Sequence, residues 1–443
     1  MSKFPSYVHK IFPPDDFLPS HPGQTSAVPP ARLPHPLPPP QGDDITITVV
    51  DARMGRGKSS SAIRYMNEHR GEKRFLYVTP FLSEVDRICM KCDFDQPDTQ
   101  MGSKSRTLKQ YLETGANIAA THSLFYLLDD EAKELLRQMH YSLIIDETMS
   151  VVEDVHVTQC DYDMLMKTCL ARRSGKKLVW TQWEYDGAFN VIRDLARAGS
   201  LYDAGGSFLK MIDPEVFRVC PETFMLTYMF HGQYQSAYLD YFGFNYRVVG
   251  IEEDDKGFFF SDRPDDPPPI DYGKMIHILD EPKLNDVGSD RYALSMAWYT
   301  KRGRKNPEVV ALRKHMTNYF MHKCPHREAG TRMWTTFKAH SDKLVSRNGR
   351  YKDDFVQISS RATNDYQGRD CLAYMANRFA DPNIRKFFGA KDIALDDNMF
   401  ALSEMLQWIW RSAIRNDKEI WLYIPSSRMR AILKQWIAEV SSS

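Results

Sequence analysis

The chain has 443 residues, enough for two or three domains that each bury a core of their own. Lys plus Arg and Asp plus Glu number 58 each, so no global basic field exists and any polyanionic partner must be met by a local patch. The seven cysteines are odd in number and scattered, no signal peptide is visible and no apolar run approaches bilayer length, which argues for a reducing cytoplasmic setting without membrane contact.

Residues 1–43 carry 12 of the 25 prolines and no sustained apolar periodicity, so a disordered, proline-rich leader is expected there. It could recruit a replication protein, though such tracts commonly act only as spacers. From Ile45 onward short apolar runs alternate with helical stretches, the sequence pattern of a parallel sheet with crossover helices. Strands are expected at 46–51 (TITVVD), 74–79 (RFLYVT), 117–121 (NIAAT) and 141–146 (YSLIID), with helices near 58–69, 82–90 and 123–137. The stretch 150–222 reads as a helical insertion, with pieces near 160–171 and 186–198. A buried strand follows at 223–230 (TFMLTYMF). New material begins at 246–251, and DDPPP at 265–269 breaks the chain. Beyond it, strands are expected at 274–279, 292–299, 331–337 and 419–424, and helices at 307–322, 369–380, 401–415 and 426–438.

The fold class is therefore α/β, with two parallel-sheet units. The boundaries read as 44–230 for the first, insertion included, and 231–443 for the second.

The chemistry begins where the first strand runs into Ala52-Arg53-Met54-Gly55-Arg56-Gly57-Lys58-Ser59-Ser60. This matches GxxxxGK followed by Ser, except that Ala52 stands for the first glycine. Small residues let backbone N–H groups approach an anion, and the helix N-terminus adds partial positive charge. Lys58 can then reach β- and γ-phosphates, and Ser59 can hold Mg²⁺. Asp146-Glu147 ends an apolar strand, the place where open sheets bind ligands. There Asp146 can share the Mg²⁺ and Glu147 can orient or deprotonate water. Far away, Gln407, Arg411 and Arg415 are spaced by four and would share one helix face, placing two arginines where fingers toward a triphosphate are needed.

These residues resemble superfamily 2 helicases, in particular phage and prophage helicases of the DEAD/DEAH kind, over residues 45–443. AxxGxGKS at 52–59 is similar to motif I, Val78-Thr79-Pro80 to motif Ia, Ala120-Thr121-His122-Ser123 to the strand end near motif Ib, and Ile145-Asp146-Glu147 to motif II. Leu226-Thr227-Tyr228 keeps only the threonine of motif III. Trp334-Thr335-Thr336-Phe337 resembles motif IV, Ala362-Thr363-Asn364 with Gly368 and Asp370 motif V, and Gln407 with Arg411 and Arg415 motif VI, without its glycines.

The resemblance implies two RecA-like ATPase domains with ATP and Mg²⁺ between them. Gly368 and Asp370 join the cofactor set. It also implies a nucleic-acid track, DNA favoured and single-stranded, over Thr79, Pro80, Thr121, His122, Thr363 and Asn364. An ATP-dependent helicase or translocase acting in phage DNA replication or recombination, in the host cytoplasm, is expected. Lys301-Arg302-Gly303-Arg304-Lys305, and Arg172-Arg173 with Lys176-Lys177 near Trp180 and Trp183, are basic runs that suit a single strand. A terminase-like packaging ATPase, with Asp353-Asp354 and Asp396-Asp397 as nuclease acids, or a nucleotide-switched binding protein without unwinding, are the alternatives.

Overall fold

Runs such as RFLYVT and YSLIID lack polar alternation, so they suit strands covered on both faces, and both are buried along their whole length. They are neighbouring internal strands of the first sheet of a computed structural model that describes residues 46–99, 102–147, 149–182, 184–265, 270–326, 328–346, 348–358 and 364–441. The proline-rich leader and Thr363 lie outside the described residues.

In chain order the first strands are β1 Thr46–Asp51, β2 Arg74–Thr79, β3 Ile118–Thr121 and β4 Tyr141–Asp146. There follow β5 Val152–Val155, β6 Leu170–Ser174, β7 Lys177–Trp180, β8 Leu201–Asp203 and β9 Phe208–Met211. Then come β10 Glu222–Thr227, β11 Asn245–Asp254 and β12 Gly257–Ser261, and after them β13 Ile276–Ile278, β14 Arg332–Thr335, β15 Cys371–Tyr374 and β16 Ile420–Tyr423.

The first lobe is a seven-stranded sheet in the order β12-β11-β1-β10-β4-β2-β3, parallel except for β12. The second lobe is a parallel four-stranded sheet, β13-β16-β15-β14. The architecture is thus α/β with two RecA-like lobes. In the first lobe β10 separates the strand that feeds the phosphate loop from the strand that ends in the acidic pair. The C-terminal ends of β1, β2, β4 and β10 consequently open on one edge.

Five expectations need correction. The first unit does not stop at 230: β11 pairs in parallel with β1, from Thr46 opposite Asn245 to Val50 opposite Val249, so its sheet extends through Ser261. The insertion is not helical in the main. It holds an antiparallel sheet in the order β5-β9-β8-β7-β6, packed on the helices Gln159–Thr168 and Asn190–Arg197. No strand forms at 292–299, because Ser295 caps a short helix, Met296–Thr300. Residues 371–374, expected as helix, are β15, which pairs on both sides and is wholly buried. The helix expected over 401–415 runs from Asp397 to Ile409 and ends at Trp410; Arg415 sits on a separate 3-10 turn, Ala413–Asn416.

The lobes touch away from the sheet edges as well. The helix Pro382–Gly389, reached from the second lobe, inserts Ile384, Phe387 and Phe388 into the core of the first, beside Tyr202, Leu209 and Tyr238. Phe387 meets Tyr241 at 4.8 Å and Tyr202 at 6.3 Å between ring centroids, and Asn383 Nδ2 donates to Asp154 Oδ1 over 2.9 Å.

Candidate nucleotide site between the lobes

β1 leads into a loop in which Gly55 and Gly57 adopt φ of 85° and 79°. At Gly57 the requirement is double, because a Cβ there would lie 2.3 Å from the Phe258 ring of β12. Gly57 also precedes the helix Lys58–Glu68 without providing a side-chain cap, so the first amides of that helix keep their donors for another acceptor. The Lys58 ammonium folds back to donate to the carbonyls of Ala52 (2.5 Å) and Arg53 (3.0 Å). Burial pulls its pKa down to about 8 against the opposing pull of Asp146 and Glu147.

Asp146, at the end of β4, is buried and accepts hydrogen bonds from three groups. Ser59 Oγ lies 3.0 and 3.2 Å from its two oxygens, the Tyr77 hydroxyl 2.5 Å from Oδ2, and the Glu147 amide 3.1 Å from Oδ1. Burial still raises its carboxyl above the usual range, with Glu84 adding to the rise. Glu147 takes a left-handed backbone, φ 61°, which turns it away from the strand and into the cavity. The surrounding protein and then Asp146 push its carboxyl up to about 7, opposed by Arg411, Lys58 and Arg415. A hydroxyl beside a carboxylate is a hard-oxygen pair, so Ser59 and Asp146 fit Mg²⁺ that also takes phosphate oxygens. Among the described residues no cluster of three or more His, Cys, Asp or Glu could hold a metal by itself.

The second lobe closes the other side. Gln407, Trp410, Arg411 and Arg415 line the same cavity, of about 790 Å³, as Met54, Gly55, Gly57, Lys58, Ser59, Ser60, Asp146 and Glu147. Although the helix breaks at Trp410, the break carries both arginines to the cavity. Arg411 donates to the carbonyls of Gln357 (3.1 Å) and Ile358 (2.9 Å), which fixes its guanidinium. Burial lowers its pKa, countered by Glu147.

Leu226, Thr227 and Tyr228, the segment compared with motif III, line the cavity too. Sequence reasoning missed Phe81, which precedes the helix after β2, Ser83, Glu84 and Arg87 on that helix, and Asp365 and Trp410. Their only signal was position just after a strand end or beside a motif.

Other expected residues lie elsewhere. Ala52 is buried beneath the loop and contributes only its carbonyl. Arg56 turns away to Asp265 (3.4 Å) and the Ile251 carbonyl (3.3 Å), so it anchors β11 and the segment after β12. Gly368 and Asp370 do not line the cavity, and Asp370 instead faces His326 Nδ1 at 2.5 Å. Thr79 is fully buried, which withdraws its side chain from any track. His122 braces the acidic strand end, its Nε2 3.2 Å from the Asp146 carbonyl, and burial pulls its pKa down to about 3. Pro80 and Thr121 remain half-buried, and Asn364 opens a 3-10 turn, Asn364–Tyr366.

Both basic runs are largely engaged. Arg302 pairs with Glu308, Arg304 donates to the carbonyls of Asp342 and Val345, Arg172 pairs with Asp203, and Lys177 with Asp213. Trp183 lies outside the described residues. Of the candidate nuclease acids, Asp354 pairs with Arg332 and Arg369, Asp396 caps a helix and Asp397 pairs with Arg385.

Residues 271–437 match the model for the YonV C-terminal Rossmann-like domain. Over 409 residues the chain is 34% identical to the SPbeta prophage-derived uncharacterized protein YonV of Bacillus subtilis (strain 168), covering 88% of this chain and 98% of that protein. The chain belongs to the YonV family. The YonV C-terminal domain takes in all of the second sheet together with Gln407, Arg411 and Arg415, while the phosphate loop and acidic pair precede it.

Solved structures offer distant likenesses. Xpd4 of S. tokodaii is 8% identical at a TM-score of 0.41, covering 88% of this chain and 94% of that one. The DUF1998 helicase MrfA bound to DNA and AMPPNP is 12% identical at a TM-score of 0.35, covering 89% and 48%. Among the described residues no helix is long and apolar enough to cross a membrane.

Proposed function

We propose that this member of the YonV family is an ATP-dependent nucleic-acid helicase or translocase of superfamily 2, acting in phage DNA replication or recombination. One observation carries the ATPase part: a single cavity is lined by Lys58, Ser59, Asp146 and Glu147 from one lobe and by Gln407, Arg411 and Arg415 from the other. A triphosphate held there would bridge the lobes, so binding and hydrolysis would be read as their closing and opening.

In this reading the amides at the start of Lys58–Glu68 hold the phosphates and Lys58 leaves its loop carbonyls to neutralise them. Ser59 and Asp146 would hold Mg²⁺, which would supply positive charge to the phosphates. Glu147, with a pKa near neutrality, accepts the proton of the attacking water. Arg411 and Arg415 meet charge that develops on the γ-phosphoryl group. The order of the motifs along the first lobe supports a nucleic-acid track, and the prophage origin of the B. subtilis relative supports a phage setting.

The test is the steady-state ATPase rate of the purified chain, alone and with single-stranded DNA, duplex DNA or RNA, with Lys58→Ala as control. Stimulation by one polymer, abolished in a folded Lys58→Ala protein, is the expected result. Hydrolysis without stimulation favours a packaging enzyme, and nucleotide binding without turnover a regulatory switch.

A further inference from the structure

Outside the cavity, the most exposed aromatic residue of the second lobe is Tyr292, with 61% of its surface accessible. It packs against Phe379 with ring centroids 5.7 Å apart at 32°, and the nearby Met296 is exposed as well. A single exposed aromatic residue means little. Here the two rings are flanked by guanidinium groups: Arg428 lies 4.2 Å from the Phe379 centroid and Arg291 5.9 Å from that of Tyr292.

The backbone beneath is held unusually firmly for a surface loop. Asn377, fully buried just beyond β15, donates from Nδ2 to the carbonyls of Arg291 and Ala293, both at 2.9 Å, and from its amide to the Leu294 carbonyl. Its Oδ1 accepts from Arg428 over 2.9 Å. Leu294, between Tyr292 and Met296, is forced to φ 61°, a conformation that costs about 1 kcal/mol or more for a residue with a branched side chain. The neighbouring carboxylates are already engaged: Asp290 accepts from the Tyr292 amide, Asp396 from the Asn398 and Met399 amides, and Asp397 from the Ala380 amide and the Arg385 guanidinium. Aromatic faces, an open guanidinium at Arg291 and a rigid strained loop are what base stacking combined with phosphate neutralisation requires.

We infer that Tyr292 and Phe379, with Arg291, form a stacking platform for the bases of single-stranded nucleic acid, which extends the motor reading above and rests on it. The platform lies beside the seam between the lobes. Arg428 also holds Asn398, whose neighbour Met399 abuts Gly232 of the first lobe, and the Asp381 amide donates to Tyr234 over 2.8 Å. A base held there would ride with the second lobe whenever the seam moves.

The test uses the full chain, a fluorescein-labelled oligothymidine for affinity and a 2-aminopurine strand as a stacking probe. Tyr292→Ala is expected to weaken the single strand about ten-fold and to abolish the change in 2-aminopurine emission, while Tyr292→Phe keeps both. An abasic strand should bind both the wild-type and Tyr292→Ala proteins alike. If the wild type binds the strand and Tyr292→Ala binds it equally, the platform is overturned and the motor reading stands. If Tyr292→Ala changes only the sedimentation coefficient, the face joins copies of the chain and the platform is likewise overturned. A wild type that binds neither DNA nor RNA overturns both.

Discussion

The Tyr77 hydroxyl lies 2.5 Å from Asp146 Oδ2 and 3.5 Å from Glu84 Oε1, so one buried phenol connects the carboxylate suited to Mg²⁺ with a second acid on the cavity wall. Tyr77→Phe removes a donor from a buried carboxylate, at a cost of about 1–3 kcal/mol in stability. The Asp146 carboxyl should then rise further, and protons compete better for it. The Mg²⁺ concentration that half-saturates hydrolysis should increase several-fold, more at pH 6 than at pH 8. An unchanged Mg²⁺ requirement would mean that Tyr77 serves packing alone.

The pH dependence follows from two groups whose shifts run in opposite directions. Glu147 must be deprotonated to accept a proton, and its carboxyl is pushed up to about 7; Lys58 must be charged, and its ammonium is pulled down to about 8. For the free enzyme kcat/KM should therefore rise through about pH 7 and fall above about pH 8. Glu147→Gln should remove the lower limb and most of the turnover.

The same shift fixes a stability sign. An acid whose folded pKa is raised from 4.5 to about 7 costs nothing below 4.5 and an increasing amount as pH rises toward 7. Glu147→Gln should thus stabilise the fold above neutrality, by less than about 1 kcal/mol because water in the cavity screens the charge. Thermal melts at pH 4 and pH 8 would check it: a gain present equally at both values contradicts the assignment.

Arg411→Ala and Arg415→Ala should each lower kcat by about a hundred-fold or more while KM moves by only a few-fold, because the charge they meet develops in the transition state. The two should still differ. Arg411 also ties down the carbonyls of Gln357 and Ile358, so its loss should lower the melting temperature, whereas Arg415 is exposed on its turn. Equal losses in kcat and in nucleotide affinity would exclude a finger role for both.

Phe387→Ala should cost about 3–5 kcal/mol in urea unfolding, the range for emptying a buried aromatic site. Because that ring belongs to the second lobe but sits in the core of the first, the variant should also weaken communication between them. The ratio of stimulated to unstimulated ATPase rates measures this directly, and a ratio equal to that of wild type would deny Phe387 any part in coupling.

What could be read from the sequence was chemistry written locally. The phosphate loop and the acidic pair each follow an apolar strand within a few residues, so strand, turn and motif support one another at Lys58 and at Asp146. Arg411 and Arg415 were found by a four-residue spacing, yet the helix that justified the spacing ends at Ile409. Arg411 meets the cavity from the break after the helix and Arg415 from the separate 3-10 turn Ala413–Asn416. β15 was mistaken for helix because CLAYMA is equally apolar in either state, and only its pairing with β14 and β16 decides. Tyr77 carried no sequence signal, since a tyrosine in a buried strand is ordinary until the carboxylate beside it is known. Thr79 and His122 were correctly located at strand ends, but depth within the sheet turned them inward, and depth is not visible in a motif.

The Pro382–Gly389 helix bears on how the whole chain would move. Its Phe387 and Phe388 are planted in the first lobe while its parent sheet carries the arginines, so the lobes are joined by an apolar pin as well as by chain connectivity. Rings packed that closely resist sliding more than turning, so relative motion of the lobes would favour rotation about this contact. Displacement then grows with distance from Phe387, and a shift too small to disturb that close-packed contact becomes a larger stroke at the farther end of the lever arm.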